Sequence, residues 1–383
     1  MKRLQLAFLV AATATLLLTG CGGASTPMPT PTASSSSSSS PLPTPEPTTT
    51  AAPDEADAEP ALIPVRIAAG CNDLATPAVR EKVAGVADAD IARVTHPLAN
   101  GSAAELQAGV LTCQWSGPVI AAESSVEIEI KVLPDAAAEF AEFAPVALGS
   151  EVLGTLGAGS LINCFDAEGA RSCYLHFLDG VNWVDAHFIG VTPAPATDAI
   201  AAATEFAGEI SDALAAAGPL GAPYAVPAGA LAAWTSCNVL DDLGAFRSAV
   251  ASPSLTSPEG EFTGAGTLFA EAWQRVEFKS CVWRQIDPYT SPVGEIRMAS
   301  VSILPGAEWA WASLRETDIS RGGNPVTVAG ADDATLNCPS ADDCTLHALV
   351  QGSYVNVYLS VEQYRGGAEA LAVTAAEFAI SRL

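Results

Sequence analysis

Val126, Ile128, Ile130 and Val132 alternate with Glu127, Glu129 and Lys131. That period of two predicts a half-buried strand, ended by Pro134. The pattern returns between Arg297 and Leu304-Pro305, where Ala299, Val301 and Ile303 take the inward positions. Helical spacing appears elsewhere. Thr76-Pro77 opens a helix, with Thr as N-cap and Pro in the first turn, and Val79, Val83 and Val86 follow on one face. After Pro134, Phe140 and Phe143 predict a short helix. Residues 172–178 and 181–189 predict a hairpin around Asp179-Gly180, a pair suited to a type I′ turn, with Gln351-Gly352 as a looser counterpart. A helix from about Asp198 places Phe206, Ile210 and Leu214 on one face. Runs of strands and helices without βαβ alternation predict the α+β class: an antiparallel sheet with helices packed on one side.

These elements occur twice. Cys71-Asn72-Asp73-Leu74 answers to Cys237-Asn238-Val239-Leu240, and Cys113-Gln114-Trp115 to Cys281-Val282-Trp283. Cys173-Tyr174-Leu175-His176 answers to Cys344-Thr345-Leu346-His347, and Glu205-Phe206-Ala207 to Glu377-Phe378-Ala379. With the two strands, the offsets run 166, 168, 171, 171 and 172, so order and spacing are kept together. Two tandem related domains are expected, at 62–217 and 231–383, joined by a Gly/Pro/Ala-rich linker at 218–230.

The chain has nine cysteines. Setting Cys21 aside leaves Cys71, Cys113, Cys164 and Cys173 in the first repeat, and Cys237, Cys281, Cys338 and Cys344 in the second. Even numbers in an exported chain predict disulfides. Four cysteines allow three connectivities. The pairing favoured is Cys71–Cys113 with Cys164–Cys173, and Cys237–Cys281 with Cys338–Cys344. Zinc is the rival, but no C-x-x-C spacing is present.

Export is written at the amino terminus. Met1-Lys2-Arg3 is positive, Leu4 to Leu18 is uncharged and mostly apolar, and Leu18-Thr19-Gly20-Cys21 follows. The first 20 residues form a signal peptide. The last four of these positions resemble the lipobox of bacterial lipoproteins, which implies cleavage before Cys21 and a diacylglyceryl group on its sulfur. Two acyl chains anchor durably, since each buried CH₂ contributes about 0.8 kcal/mol. From Cys21 to residue 61 the chain is rich in Ser, Thr and Pro, with seven consecutive serines at Ser34–Ser40. Such a segment has too little apolar surface to offset its ordering entropy, and a disordered stalk is expected.

Charge narrows the partners. Seventeen basic residues stand against 43 acidic ones, a formal net charge of −26. Nucleic acid is excluded as a partner, because its binding depends on Lys and Arg neutralising phosphates. Attachment to the membrane is expected through the lipid on Cys21 alone, with the chain on the extracytoplasmic face.

The lipobox, the stalk and the Cys-Asn-x-Leu and Cys-x-Trp motifs together resemble a group of actinobacterial cell-envelope lipoproteins. The resemblance implies an extracytoplasmic binding or accessory role on an α+β fold, and brings no catalytic residues.

Motifs for chemistry are missing from the sequence: no G-x-S-x-G, S-x-x-K, H-E-x-x-H, Walker loop or G-x-G-x-x-G is present. No catalytic residue, cofactor or metal site is therefore assigned. His176 and His347 share a repeat position and are expected to be structural. His96 and His187 have no counterpart. His187 and Asp185 are two apart on a predicted strand, which makes them a candidate dyad, with a surface pair as the simpler account. Trp115 and Trp283 are expected to pack on the disulfides, with stacking on a sugar as the alternative. Trp183, Trp273, Trp309 and Trp311 differ between repeats and would mark a diverged pocket. The acidic loops Asp166-Ala167-Glu168, Asp332-Asp333 and Asp342-Asp343 lack EF-hand spacing and read as solvated. The function expected is a non-catalytic binding or sensing module for an envelope ligand. A scaffold for other proteins, or a wall-acting enzyme using His187 and Asp185, are the alternatives.

Overall fold

A computed structural model describes residues 63, 66–95, 98–120, 124–142, 151–152, 156–167, 169–191, 199–260, 267–285, 295–361 and 367–383. The signal, Cys21, the stalk, His96, Phe143 and Glu168 lie outside the described residues.

The alternating segments become strands where expected. Repeat one runs α1 (Cys71–Leu74), α2 (Pro77–Ala84), β1 (Ala92–Val94), α3 (Asn100–Gln107), β2 (Leu111–Val119) and β3 (Ser125–Leu133). It continues through α4 (Ala137–Glu142), β4 (Glu151–Val152), β5 (Leu161–Ala167), β6 (Ala170–Asp179), β7 (Asn182–Val191) and α5 (Ala199–Ala216). Repeat two begins with a single 3₁₀ turn at Cys237–Val239 in place of α1. Then come α6 (Ala245–Ala249), β8 (Glu259–Gly260), α7 (Leu268–Arg275), β9 (Lys279–Arg284) and β10 (Ile296–Leu304). It closes with α8 (Glu308–Ser320), β11 (Asn324–Pro325), β12 (Asp333–Asn337), β13 (Asp343–Val350), β14 (Ser353–Val361) and α9 (Ala368–Ile380).

Each repeat forms one seven-stranded antiparallel sheet, and the two orders match: β1-β2-β3-β7-β6-β5-β4 and β8-β9-β10-β14-β13-β12-β11. The last strand of each repeat inserts between the third and the hairpin partner. Val126, Ile128, Ile130 and Val132 are fully buried, as are Ala299, Val301 and Ile303. Their pleat defines an inner face in each sheet. In repeat one that face packs on α1, α2 and α5, where Phe206, Ile210 and Leu214 face the sheet. In repeat two it packs on α6 and α9.

Four disulfides pin these inner layers. They join Cys71 to Cys113, Cys164 to Cys173, Cys237 to Cys281 and Cys338 to Cys344, with Cα separations of 5.4, 4.1, 5.5 and 4.1 Å. Cys164 and Cys173 are direct cross-strand partners. The class is α+β, with two related antiparallel sheets, a helical layer on the inner face of each and two disulfides apiece. Repeat two adds α8 across its outer face.

Two details depart from the sequence reading. The turn between β6 and β7 pairs Asp179 with Asn182, so its central residues are Gly180 and Val181, one position later than expected. Only Gly180 carries a positive φ there, +61°. In repeat two both central residues, Gln351 and Gly352, are left-handed, at φ +46° and +73°. The type I′ pattern of two positive angles therefore belongs to the second hairpin.

The repeats also share a third core. Ala103 and Ala104 of α3, Leu133, Phe140 and Trp183 meet Leu268 and Ala272 of α7, Leu304, Trp311 and Tyr354. Small residues let α3 and α7 approach closely, and Trp273 reaches over Gly101. Hydrogen bonds across this seam are reciprocal. Gln107 Nε2 donates to Pro305 O at 2.7 Å, while Arg275, its counterpart, donates to Pro134 O. Arg275 also reaches Glu139 at 2.6 Å and Asp135 O at 2.7 Å. The same patch on each repeat thus meets the other, as in an isologous dimer interface contained within one chain.

Candidate binding site

The outer face of sheet one is polar because the strand pleat sends Glu127, Glu129 and Lys131 there while their neighbours fill the core. Cross-strand register then assembles two rows. Gln114, Glu129, His187 and Tyr174 form one, and Thr112, Lys131, Asp185 and His176 form the next.

Register also decides the histidine partners, and corrects the proposed dyad. Asp185 Oδ1 shares a 2.7 Å hydrogen bond with His176 Nδ1 and accepts another of 2.7 Å from Trp183 Nε1. His187 instead bonds Ser172 Oγ at 3.1 Å and stacks on Tyr174, with ring centres 4.1 Å apart. His187 and Asp185 share a face, but each is engaged with a neighbouring strand. The reason is that residues two apart along a strand are farther apart than residues directly opposite across it.

Burial opposes charge on the His176 ring, but the hydrogen bond and charge of Asp185 outweigh it and hold its pKa above the ordinary 6.5. Burial lowers that of His187, against a weaker opposing pull from Glu127.

Repeat two keeps the histidine and changes its surroundings. Ser300, Ser302, Tyr358, Asn356 and Thr345 occupy the positions of Glu129, Lys131, His187, Asp185 and Tyr174. Helix α8 lies over the histidine. His347 Nδ1 bonds the buried Tyr354 hydroxyl, and Asn356 Nδ2 lies 3.2 Å from that nitrogen. His347 Nε2 is 3.6 Å from Asp318 of α8. Here burial prevails over the pull of Asp318, and the His347 pKa is lowered. The expected structural role of the shared histidine describes His347 well. His176 is half-exposed in a row of titratable side chains.

Each repeat has a cavity in the same place, between its interface helix and the start of its second strand, β2 or β9. In repeat one the cavity is about 360 Å³ and in repeat two about 460 Å³. Ser102, Glu105 and Leu106 of α3, then Val110, Leu111 and Thr112, line the first. Ala270, Trp273 and Gln274 of α7, then Phe278, Lys279 and Ser280, line the second at the corresponding positions. Both volumes lie within the usual span of small-molecule pockets, about 300–1,000 Å³.

The linings have diverged. The first has apolar walls and a charged end, where Lys131 Nζ sits 3.1 Å from Glu105 and 3.8 Å from Glu129. The second is aromatic and mostly uncharged, with Trp273 edge-on to Phe278 at 4.7 Å. Of the unmatched tryptophans, Trp273 thus lines a diverged pocket. Trp183, Trp309 and Trp311 lie at the third core: Trp309 Nε1 donates to Gln107 across the seam, and Trp311 Nε1 to Asp333.

Trp115 and Trp283 are buried, which rules out sugar stacking. Trp115 lies against the guanidiniums of Arg80 and Arg93, each 5.3 Å from its ring centre, and Trp283 stacks on Phe246 at 4.0 Å.

The acidic loops have structural partners. Asp166 is held by Arg171 at 2.8 and 3.0 Å. Asp333, expected to be solvated, accepts Trp311 at 3.1 Å and pairs with Arg315 at 3.0 Å, tying α8 to β12. Asp332 accepts the Gln351 N–H at 2.7 Å, and Asp343 accepts the Tyr358 hydroxyl at 3.0 Å. Asp342 contributes its carbonyl to Val361 N at 2.7 Å. Among the described residues, no group of three or more His, Cys, Asp or Glu could hold a metal ion, and no helix is long and apolar enough to cross a membrane.

Of the cavity linings, only Trp273 was marked by the sequence as a place where the repeats diverge. Their signal was the pairing of Glu105 with Trp273 at equivalent positions, legible only once the interface helices are aligned.

The described chain is thus a tandem α+β protein with a diverged pocket in each repeat. No protein-family model and no curated protein matches it. Among solved structures it is similar to the di-domain ARO/CYC StfQ from the steffimycin biosynthetic pathway, at 10% identity over 82% of this chain and 95% of that one, with a TM-score of 0.16.

Proposed function

We propose that this chain is a lipid-anchored, extracytoplasmic binding or sensing module of the cell envelope, and that the paired pockets hold its ligands. The observation that carries this is the repetition of the cavity. Six equivalent positions line a cleft of several hundred Å³ in both repeats, within the range that holds small molecules. The cavity persists while its chemistry changes, as expected for a site adapted twice to different ligands. The lipobox at Cys21 and the Ser/Thr/Pro stalk support the anchored setting, together with the resemblance to actinobacterial envelope lipoproteins. No catalytic role is assigned: the histidine–carboxylate pair on sheet one has no activated nucleophile beside it among the described residues.

The test is native mass spectrometry on the full chain released from host membranes. A co-purified small molecule that is lost in Leu106→Trp or Gln274→Trp, each filling one pocket, supports the proposal. A ligand unaffected by both variants overturns the pocket assignment. The anchor is tested separately: Cys21→Ala should abolish acyl labelling and release the chain from the membrane fraction, and unchanged membrane retention would refute it.

A further inference from the structure

The charged end of the repeat-one pocket is unbalanced. Glu105 and Glu129 both turn to the one ammonium of Lys131, and Glu105 holds the shorter contact, 3.1 against 3.8 Å. Asp185 lies opposite Lys131 on the next strand, and Glu127 is one row beyond. Arg93, the other cation of the pocket, donates to Thr112 O at 3.4 Å and lies over the Trp115 ring. Of the two carboxylates that line the pocket, Glu105 has the nearer hold on Lys131, and Arg93 is turned to Thr112 and Trp115, which leaves Glu129 the less compensated.

We propose that this pocket takes an organic cation with an apolar body, an amine or a quaternary ammonium, whose charge rests beside Glu129 and whose body lies along Leu98, Leu106 and Val110. This deepens the binding proposal above and rests on it. The apolar walls select against a hydrated metal ion or a polyol, whose polar groups would lose water without replacement. The weakly compensated Glu129 carboxylate selects against an anion. The volume, about 360 Å³, limits the ligand to a small one. Burial, only partly opposed by Lys131 and reinforced by Glu105, Glu127 and Asp185, holds the Glu129 carboxyl above its ordinary pKa. An arriving cation favours the charged carboxylate by direct attraction, so binding should release protons from Glu129. Repeat two has Ser300 and Ser302 at the positions of Glu129 and Lys131, and among the described residues its pocket is lined by no carboxylate, so it is not expected to share this preference.

Isothermal titration of the full chain in lipid nanodiscs, with empty nanodiscs as reference, compares hexylammonium, hexanol and hexanoate. Hexylammonium should bind at least about tenfold more tightly than the other two, as a charged contact predicts. Glu129→Gln should remove that advantage, and Leu106→Trp should abolish binding. Hexanoate or hexanol binding as tightly as the amine, and lost in Leu106→Trp, would overturn the cation assignment while leaving the pocket in place. No binding of any of the three to the wild-type chain would also overturn it, and the co-purification measurement above would then decide the pocket alone.

Discussion

The two outer sheet faces begin from the same topology and register, yet one presents a row of half-exposed titratable side chains and the other packs its shared histidine beneath a helix. In sheet two, α8 spans thirteen residues, and Trp311, Leu314 and Asp318 are buried on its inward side. In sheet one Glu129, Lys131, Asp185 and His176 keep side-chain exposures of 24–33%. A buried charge is costly unless well paired. Serine and asparagine at the equivalent positions of sheet two avoid that cost, whereas the titratable side chains of sheet one persist where water still reaches them. The difference separates a framework shared by both repeats, on the inner faces, from surfaces free to specialise.

The largest test concerns the framework. Replacing Cys71 and Cys113 by Ser should cost about 4 kcal/mol, and so should Cys237 with Cys281, because both bridges close loops of similar length, 42 and 44 residues. The short bridges Cys164–Cys173 and Cys338–Cys344 should each cost about 2–3 kcal/mol. Denaturant melts of the four double variants check this, and unequal costs for the two long bridges would break the equivalence of the inner layers.

The seam comes next. Arg275→Ala strands Glu139 and two carbonyls, and should cost about 2–3 kcal/mol, against about 1 kcal/mol for Gln107→Ala. Equal melting temperatures for the two variants would mean that the reciprocal contacts are not the ones that hold the repeats together. A third comparison uses the shared histidine. His347→Ala leaves Asp318 buried without its partner and should cost about 2 kcal/mol, whereas His176→Ala on the open face should cost about 1 kcal/mol. The reverse order would place the structural role in repeat one.

The smallest effect is a matter of sign. His176 has a raised pKa, so its stabilisation is present below the ordinary 6.5 and is lost as pH rises through its folded value. His347 has a lowered pKa, so its contribution is present above 6.5 and is lost as pH falls through its folded value. Histidine ring proton shifts should titrate on opposite sides of 6.5, and the destabilisation in His176→Asn should be greater at pH 5 than at pH 8, the opposite of His347→Asn. Titration of both on the same side would erase the contrast.

Much of the inner layer was legible in the chain. Alternation placed β3 and β10, the Thr76-Pro77 pair began α2, and Phe206, Ile210 and Leu214 marked the buried side of α5, because each is a local pattern that burial enforces directly. Cysteine spacing, kept across the repeat, pointed to the bridges that form. The turn at Gly180-Val181 was misplaced by one residue because cross-strand register fixes it, and turn composition alone does not.

What the sequence could not decide is which outer side chains meet. His187 was paired with Asp185 because the two are close along the strand; the sheet gives Asp185 to His176 and His187 to Ser172 and Tyr174. The seam between α3 and α7, the roof of α8 and the matching cavities depend on residues more than a hundred positions apart, such as Gln107 with Pro305 and Arg275 with Pro134. The period of each element, the repeat and an even set of cysteines in each copy could be read along the chain, since these follow from local burial and from composition; the pairing of those cysteines was only favoured there. Only the tertiary structure decided where water is excluded and which charges share a pocket, since those depend on how separately formed surfaces pack.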